Sequence, residues 1–214
     1  MIQKNKWAWA WVPTLYFAQG LPYALVVTVS VIMYKRLGFS NSDLGLYTSL
    51  LYLPWVIKPL WSPFVDLKST KRNWFLGMQL LASVALFAIG LTLPTNIFFV
   101  TSLACFWMVA FASATNDIAT DGYYMIGLTE DKQSFFVGMR SVFYKLANVT
   151  GQGLLVVLAG FLENHYGDNT KAWSYTMICA ALLMFVLTLS NFFVTPKFET
   201  SEAITLEKPK GFLE

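Results

Sequence analysis

Six long apolar runs dominate this sequence, at approximately 8–34, 43–64, 73–93, 96–122, 135–161 and 172–194, each bounded by polar or charged residues or by proline. About 20 mostly apolar residues suffice to carry an α-helix across a bilayer. Hydrophobic residues make up 56% of the 214-residue chain and charged residues 13%, against about 25% charged in ordinary soluble domains. A soluble domain of this size has too little interior to hide so much apolar surface, whereas a bilayer hides it readily. The fold class predicted is therefore an all-α membrane protein with six transmembrane helices.

The first run follows Lys4 and Lys6, as in a secretory signal, but it extends from Trp7 to Tyr34 with no clear small-residue cleavage site. A signal core is only roughly 7–15 residues long, so this run is read as a retained first span. Leu93-Pro94-Thr95-Asn96 forms a tight turn between spans three and four, and Glu163 to Lys171 a short polar loop between spans five and six.

Orientation follows from lysine and arginine placement. With the N-terminus inside, the cytoplasmic set is Lys4, Lys6, Lys68, Lys71, Arg72, Lys132, Arg140, Lys197, Lys208 and Lys210; the outer set is Lys35, Arg36 and Lys171. Ten against three predicts that both termini are cytoplasmic, with residues 1–195 as one transmembrane bundle. After Thr195-Pro196 the composition changes: residues 196–214 carry three lysines and four glutamates, which reads as a cytoplasmic tail or the start of an interdomain linker.

Charge inside a membrane is costly, about 2.5–3.5 kcal/mol per residue on insertion scales, so each such residue needs a partner or water. Lys58, Asp117, Asp121 and Lys145 fall within spans, and Arg140 falls near an interface. Asp117 and Asp121 are spaced i, i+4 and share a face of the fourth span, flanked by Ser113, Asn116 and Tyr124. Ser141, Lys145, Asn148 and Gln152 form one polar stripe on the fifth. Counting outward from Glu130, at the centre of the loop between these spans, places Asp121 level with Arg140 and Asp117 level with Lys145. Both pairings are expected, since opposite charges reduce the cost of burying each. Two readings stay open: a network that only pins helix packing, or carboxylates that exchange a proton during transport. Lys58 either snorkels to the interface or serves a cavity or gate. Pro22 frees a backbone carbonyl deep in the first span, either as a packing kink or as a cavity-lining break. Tyr16, Gln19 and Tyr23 share its face, where they suit hydrogen bonding or stacking on a sugar.

Several chemistries lack support. Cys105 and Cys179 sit in apolar runs without metal-ligand spacing, and His165 is the single histidine; no metal or cofactor is expected. HExxH, P-loop and GxSxG patterns are absent, so no enzyme activity is expected. An aspartyl dyad is disfavoured because Asp117 and Asp121 lie on one helix with basic neighbours. No nucleic-acid partner is expected.

Three segments carry a family resemblance: YFAQGLPYAL from Tyr16 to Leu25, DLGLYTSLLYLPWVIKPLWSPFVD from Asp43 to Asp66, and ATNDIATDGYY from Ala114 to Tyr124. A weaker fourth is VFYKLAN around Lys145. Together they resemble the N-terminal half of the AmpG-type permeases of the major facilitator superfamily. Asn116 departs from the glutamine frequent in relatives, and Gly122 and Tyr124 replace bulkier or basic residues. The resemblance implies an N-terminal six-helix bundle of a proton-driven importer of anhydro-muropeptides in the bacterial inner membrane; acetyl-CoA-like or other small solutes are the alternative class.

The resemblance also implies that Asp66, Lys71 and Arg72 belong to a cytoplasmic gating loop. It makes Asp117, Asp121, Lys145, Arg140 and Lys58 candidates for coupling, and Tyr16, Gln19, Tyr23, Asn148 and Gln152 candidates for lining the path. Such transporters have twelve spans in two halves, so the expected partners are the lipid bilayer, a small-molecule solute, a proton and a second six-helix half. Glu214 ends the chain within what resembles the central linker, which favours truncation of a longer protein over a split or dimerising half. A non-transporting scaffold or regulatory half is the competing reading.

Overall fold

The computed structural model describes residues 8–198; Lys4, Lys6 and the tail beyond Phe198 lie outside the described residues. Among the described residues the chain is all-helical, with no strand. Five helices are long and apolar enough to cross a membrane: α1 (Ala8–Arg36), α5 (Lys71–Thr92), α6 (Phe98–Gly127), α7 (Glu130–Tyr166) and α8 (Asn169–Val194). At 1.5 Å per residue α6 is about 45 Å long, more than the roughly 30 Å hydrocarbon core requires. The helices therefore overrun the predicted spans, and the polar loop expected from Glu163 to Lys171 shrinks to Gly167 and Asp168.

That short connection is built from its own residues. Gly167 takes a left-handed conformation, φ 63°, and ends α7; a residue without Cβ adopts it without steric cost. The Asp168 carboxylate then accepts from the backbone amides of Thr170 and Lys171, at 2.9 and 3.2 Å, capping α8. Those amide donors, Lys171's foremost, hold its carboxyl below the usual carboxylate range.

The second apolar run is not one helix. It divides into α2 (Asn41–Leu50), α3 (Leu53–Ile57), a 3₁₀ turn at Lys58–Leu60, and α4 (Ser62–Lys68). Prolines are the physical reason. Pro54 and Pro63 sit in the first turns of α3 and α4 and Pro59 in the 3₁₀ turn. Each lacks an amide donor that an uninterrupted helix would use, but the first turn of a new helix needs none.

The break expected at Pro22 is milder. α1 stays helical through Pro13 and Pro22 and then loosens into a π-helical stretch at Leu25–Val29. A second π stretch, Thr150–Leu155, interrupts α7. The two helices approach closely. A Cβ on Gly20 would stand 2.7 Å from the Tyr144 carbonyl oxygen, and one on Gly151 would stand 2.8 Å from Ala24 Cβ. Such contact between helices in lipid depends on small residues.

Two apolar clusters fill the bundle. One gathers Leu21, Leu25, Leu86, Phe106, Trp173 and Met177. The other gathers Trp11, Leu15, Phe75, Tyr123, Tyr124 and Phe136 at the end where α1 begins. Gln19, Gln79, Asn116 and Asp117 each fall in sequence between residues of the two clusters, and all four are buried. A polar layer thus divides the core. Outside, Leu80, Val84, Phe87, Val157, Phe161 and Phe185 are exposed, as suits helices whose outer faces meet lipid.

Candidate functional site

The polar layer holds two ion pairs on successive turns of α6. Arg140 Nη2 lies 2.7 Å from Asp121 Oδ1, the pairing expected from helix register. Tyr16 donates its hydroxyl to the same carboxylate oxygen at 3.0 Å. The Arg140 guanidinium also lies against two rings that are edge-on to one another, 4.5 Å from the centroids of both Tyr16 and Tyr124. Cation–π contact of this kind is worth about 0.5–2 kcal/mol per ring, so three helices are tied at one charge.

Asp117 is paired otherwise than the register argument predicts. Its Oδ2 lies 3.7 Å from Lys58 Nζ, and among the described residues Lys145 forms no ion pair. Counting residues along two helices compares depth alone, and depth does not fix the direction of a side chain. Lys145 lines a cavity between α1 and α7, whereas Lys58, which opens the 3₁₀ turn after α3, is the lysine that reaches Asp117. Gln19 and Trp55 complete the surroundings of that carboxylate, and Trp61 Nε1 donates to Thr115 Oγ1 at 3.2 Å, holding the broken segment against α6.

The cavity has a volume of about 440 Å³ and is lined by Tyr16, Gln19, Arg140, Ser141, Tyr144 and Lys145. Tyr23 lies behind Tyr144, with ring centroids 6.2 Å apart, and packs edge-on against Trp55 at 5.2 Å. The polar stripe of α7 therefore splits. Ser141 and Lys145 face the cavity, Asn148 donates back to the Tyr144 carbonyl at 2.9 Å, and Gln152 is exposed.

The loop residues have specific partners. Lys71 pairs with Asp66, and its buried stem lies where a Cβ on residue 122 would be 3.0 Å from it, so Gly122 makes room for that lysine. Arg72 reaches the end of α8, donating to the Phe192 carbonyl at 2.6 Å and the Thr195 carbonyl at 3.0 Å. These are carbonyls that a helix terminus leaves without internal donors. Just beyond, Tyr123 donates to the Pro196 carbonyl at 2.7 Å, and the Phe198 ring stacks on Tyr123 at 5.2 Å. The start of the predicted tail is thus seated on the bundle.

Sequence reasoning missed a buried amide chain. Gln79 Nε2 donates to Asn116 Oδ1 at 3.2 Å and Asn191 Nδ2 donates to Gln79 Oε1 at 3.0 Å, linking α5, α6 and α8. Gln79 and Asn191 each interrupt an apolar helix, which was the available signal.

The profile of the BT1 family matches residues 18–210. The anhydromuropeptide permease of Escherichia coli K12 is 32% identical over 184 residues, covering 79% of this chain and 34% of that protein. An uncharacterized protein of Schizosaccharomyces pombe is 27% identical over 202 residues, covering 79% and 37%. A Rickettsia prowazekii protein bearing the AmpG name is 28% identical over 142 residues, covering 62% and 33%. The chain spans about a third of the length of these relatives. Together with its apolar helices, this makes it a multi-pass, AmpG-like membrane protein: the chain belongs to the BT1 family.

Proposed function

We propose that this chain forms one six-helix half of a secondary transporter that imports anhydro-muropeptides or related sugar–peptide solutes with protons. The observation that supports it most is the juxtaposition of a 440 Å³ cavity with two carboxylate ion pairs in an otherwise apolar bundle. Ionisable residues at such depth mark ion and solute pathways. In this reading α2, α3 and α4 together make the one further crossing, second in chain order, with the prolines allowing bends where backbone is covered by neighbours.

Asp117 and Asp121 are the coupling carboxylates, with Lys58 and Arg140 as counter-charges exchanged when either takes a proton. Tyr16, Gln19, Tyr23, Asn148 and Gln152 line the path together with Lys145. Asp66, Lys71 and Arg72 form the gate at the cytoplasmic end. Residues 1–195 form the bundle and residues 196–214 the linker to a second half, with both termini on the cytoplasmic side of a bacterial inner membrane. The resemblance to the Escherichia coli permease supports the solute class.

The test is uptake of a labelled anhydro-muropeptide into proteoliposomes holding this chain with a second half, with and without a proton gradient. Gradient-driven uptake that Asp117→Asn or Asp121→Asn uncouples is the expected result. Uptake indifferent to the gradient in all three proteins removes proton coupling, and no uptake at all removes the transporter reading.

A further inference from the structure

We infer that the groove between α5 and α8 is a binding site for one anionic phospholipid, with an acyl chain laid in the groove and the headgroup phosphate on Arg72 and Asn73. The proposal needs only that these two helices lie in a membrane, so it stands or falls apart from the transport reading.

The groove follows from the antiparallel packing of the two helices and has a volume of about 470 Å³. α5 begins where α8 ends. Arg72 meets Phe192 at that end, and Leu80, about 12 Å further along α5, lines the same groove with Phe185. Leu80, Phe185, Leu189 and Phe192 are all exposed. An exposed apolar wall on two spanning helices meets lipid chains. Gly77 lines the groove as well, and a Cβ there would meet nothing within 4 Å, so the space is open to a chain.

The mouth of the groove selects the occupant. Arg72 lines the groove although it is only 8% exposed, and it has no ion pair among the described residues. Its Nε and Nη2 donate to the carbonyls of Thr195 and Phe192, and the Phe192 ring centroid lies 5.3 Å from the guanidinium. The carbonyl end of a helix offers only about half a negative charge, so this cation is solvated without being neutralised. Nη1 makes no hydrogen bond among the described residues, and it is not one of the sealed polar atoms that lack a partner. It remains accessible to a ligand. Asn73 beside it is exposed and spends its backbone amide on the Thr70 hydroxyl, which leaves its side-chain amide without a hydrogen bond among the described residues.

A phosphodiester supplies the missing full charge and accepts from both side chains. Anionic headgroups bind in basic pockets between transmembrane helices in this way, here at the cytoplasmic end in the topology proposed above. A zwitterionic headgroup brings an ammonium with its phosphate and offers Arg72 no net charge. A free anion would use the mouth and leave the apolar groove unfilled. The groove and the arginine together therefore specify an anionic lipid.

The probes are phosphatidylglycerol and phosphatidylcholine with identical acyl chains, and inorganic phosphate. Each is titrated against the full chain in detergent and counted by native mass spectrometry. The wild type is expected to hold one phosphatidylglycerol about tenfold more tightly than phosphatidylcholine, the worth of one charge-assisted hydrogen bond. Asn73→Asp places a carboxylate beside Arg72 in the first turn of α5, where a helix accepts an acid, and should abolish that preference. Gly77→Leu fills the groove from a position where its Cβ meets nothing within 4 Å and should weaken both lipids about tenfold. Elution of each variant as a monodisperse species verifies its fold.

Equal binding of the two lipids to the wild type overturns the anionic headgroup site. Wild-type affinity in Gly77→Leu places the lipid elsewhere and overturns the groove. Inorganic phosphate bound as tightly as phosphatidylglycerol leaves an anion site without a lipid chain and overturns the proposal. A lipid-free dimer that Gly77→Leu breaks apart overturns it in favour of a second copy of this chain.

Discussion

Lys58 Nζ stands 3.7 Å from Asp117 Oδ2 and joins a broken helical segment to an unbroken one. The break is what allows the contact. Lys58 opens the 3₁₀ turn between α3 and α4, and the tighter winding of such a turn swings successive side chains through a different angle than an α-helix does. The Asp117 side chain is 12% exposed, whereas the Lys58 side chain is 37% exposed. The lysine therefore reaches inward from a wetter position to neutralise a carboxylate that has little water of its own.

Removing the lysine should cost more than removing both partners. Lys58→Met leaves Asp117 buried and unpaired. The expected loss is about 2 kcal/mol, below the roughly 3–5 kcal/mol of a fully buried pair because Lys58 retains partial hydration. The double variant Lys58→Met/Asp117→Asn should recover most of that stability. Denaturant unfolding in detergent measures both. Additive losses would show that the two side chains do not interact.

At the neighbouring turn, the tyrosine and the arginine make unequal contributions. Tyr16→Phe removes one hydrogen bond to Asp121 while keeping the ring beneath Arg140, and should cost about 1 kcal/mol. Arg140→Lys keeps the charge but loses the guanidinium's contacts with both the Tyr16 and Tyr124 rings and should cost more, since a lysine does not reproduce that geometry. Equal losses in thermal unfolding would remove the ring contacts from the account.

Some of this was legible in the sequence and some was not, for reasons that differ residue by residue. The apolar runs and the Asp121–Arg140 pair follow from one-dimensional quantities, length and distance from a loop. The Lys58–Asp117 pair does not, because the direction of a side chain depends on how Pro54, Pro59 and Pro63 divide the second run. Arg72 was assigned to a loop by resemblance, yet its hydrogen bonds to Phe192 and Thr195 span 120 and 123 residues of sequence. No local pattern encodes a contact of that separation.

Glycines should divide sharply by location. A Cβ at Gly20 meets the Tyr144 backbone oxygen at 2.7 Å, whereas a Cβ at Gly160 meets nothing within 4 Å. Gly20→Ala is expected to cost about 1–3 kcal/mol through overpacking between α1 and α7. Gly160→Ala should be neutral or stabilising by up to about 1 kcal/mol, as alanine is the better helix former. Unfolding midpoints of the two variants, compared side by side, check the close approach.

The seat of the post-helical segment predicts a local effect. Phe198 stacks on Tyr123, and a Cβ at Gly127 would stand 2.6 Å from its ring. Phe198→Ala should release the segment following α8 without unfolding the bundle, giving faster protease cleavage near Pro196 and an unchanged melting temperature. A cleavage rate equal to that of the wild type would show that the aromatic seat holds nothing.

The amide chain gives the most discriminating test of the core. Gln79→Leu removes the middle member, leaving Asn116 Oδ1 and Asn191 Nδ2 buried without the partners they have now. Asn116 Nδ2 and Asn191 Oδ1 are already unpaired, so both amides would then lack hydrogen bonds among the described residues. The expected cost is about 1–3 kcal/mol for each stranded group. Replacing all three by leucine removes the stranded groups along with their bonds and should be less damaging than Gln79→Leu alone. This reversal is measurable as a higher unfolding midpoint for the triple variant. A midpoint that falls with every added leucine would mean that the amides contribute shape to the junction of α5, α6 and α8 rather than hydrogen bonds.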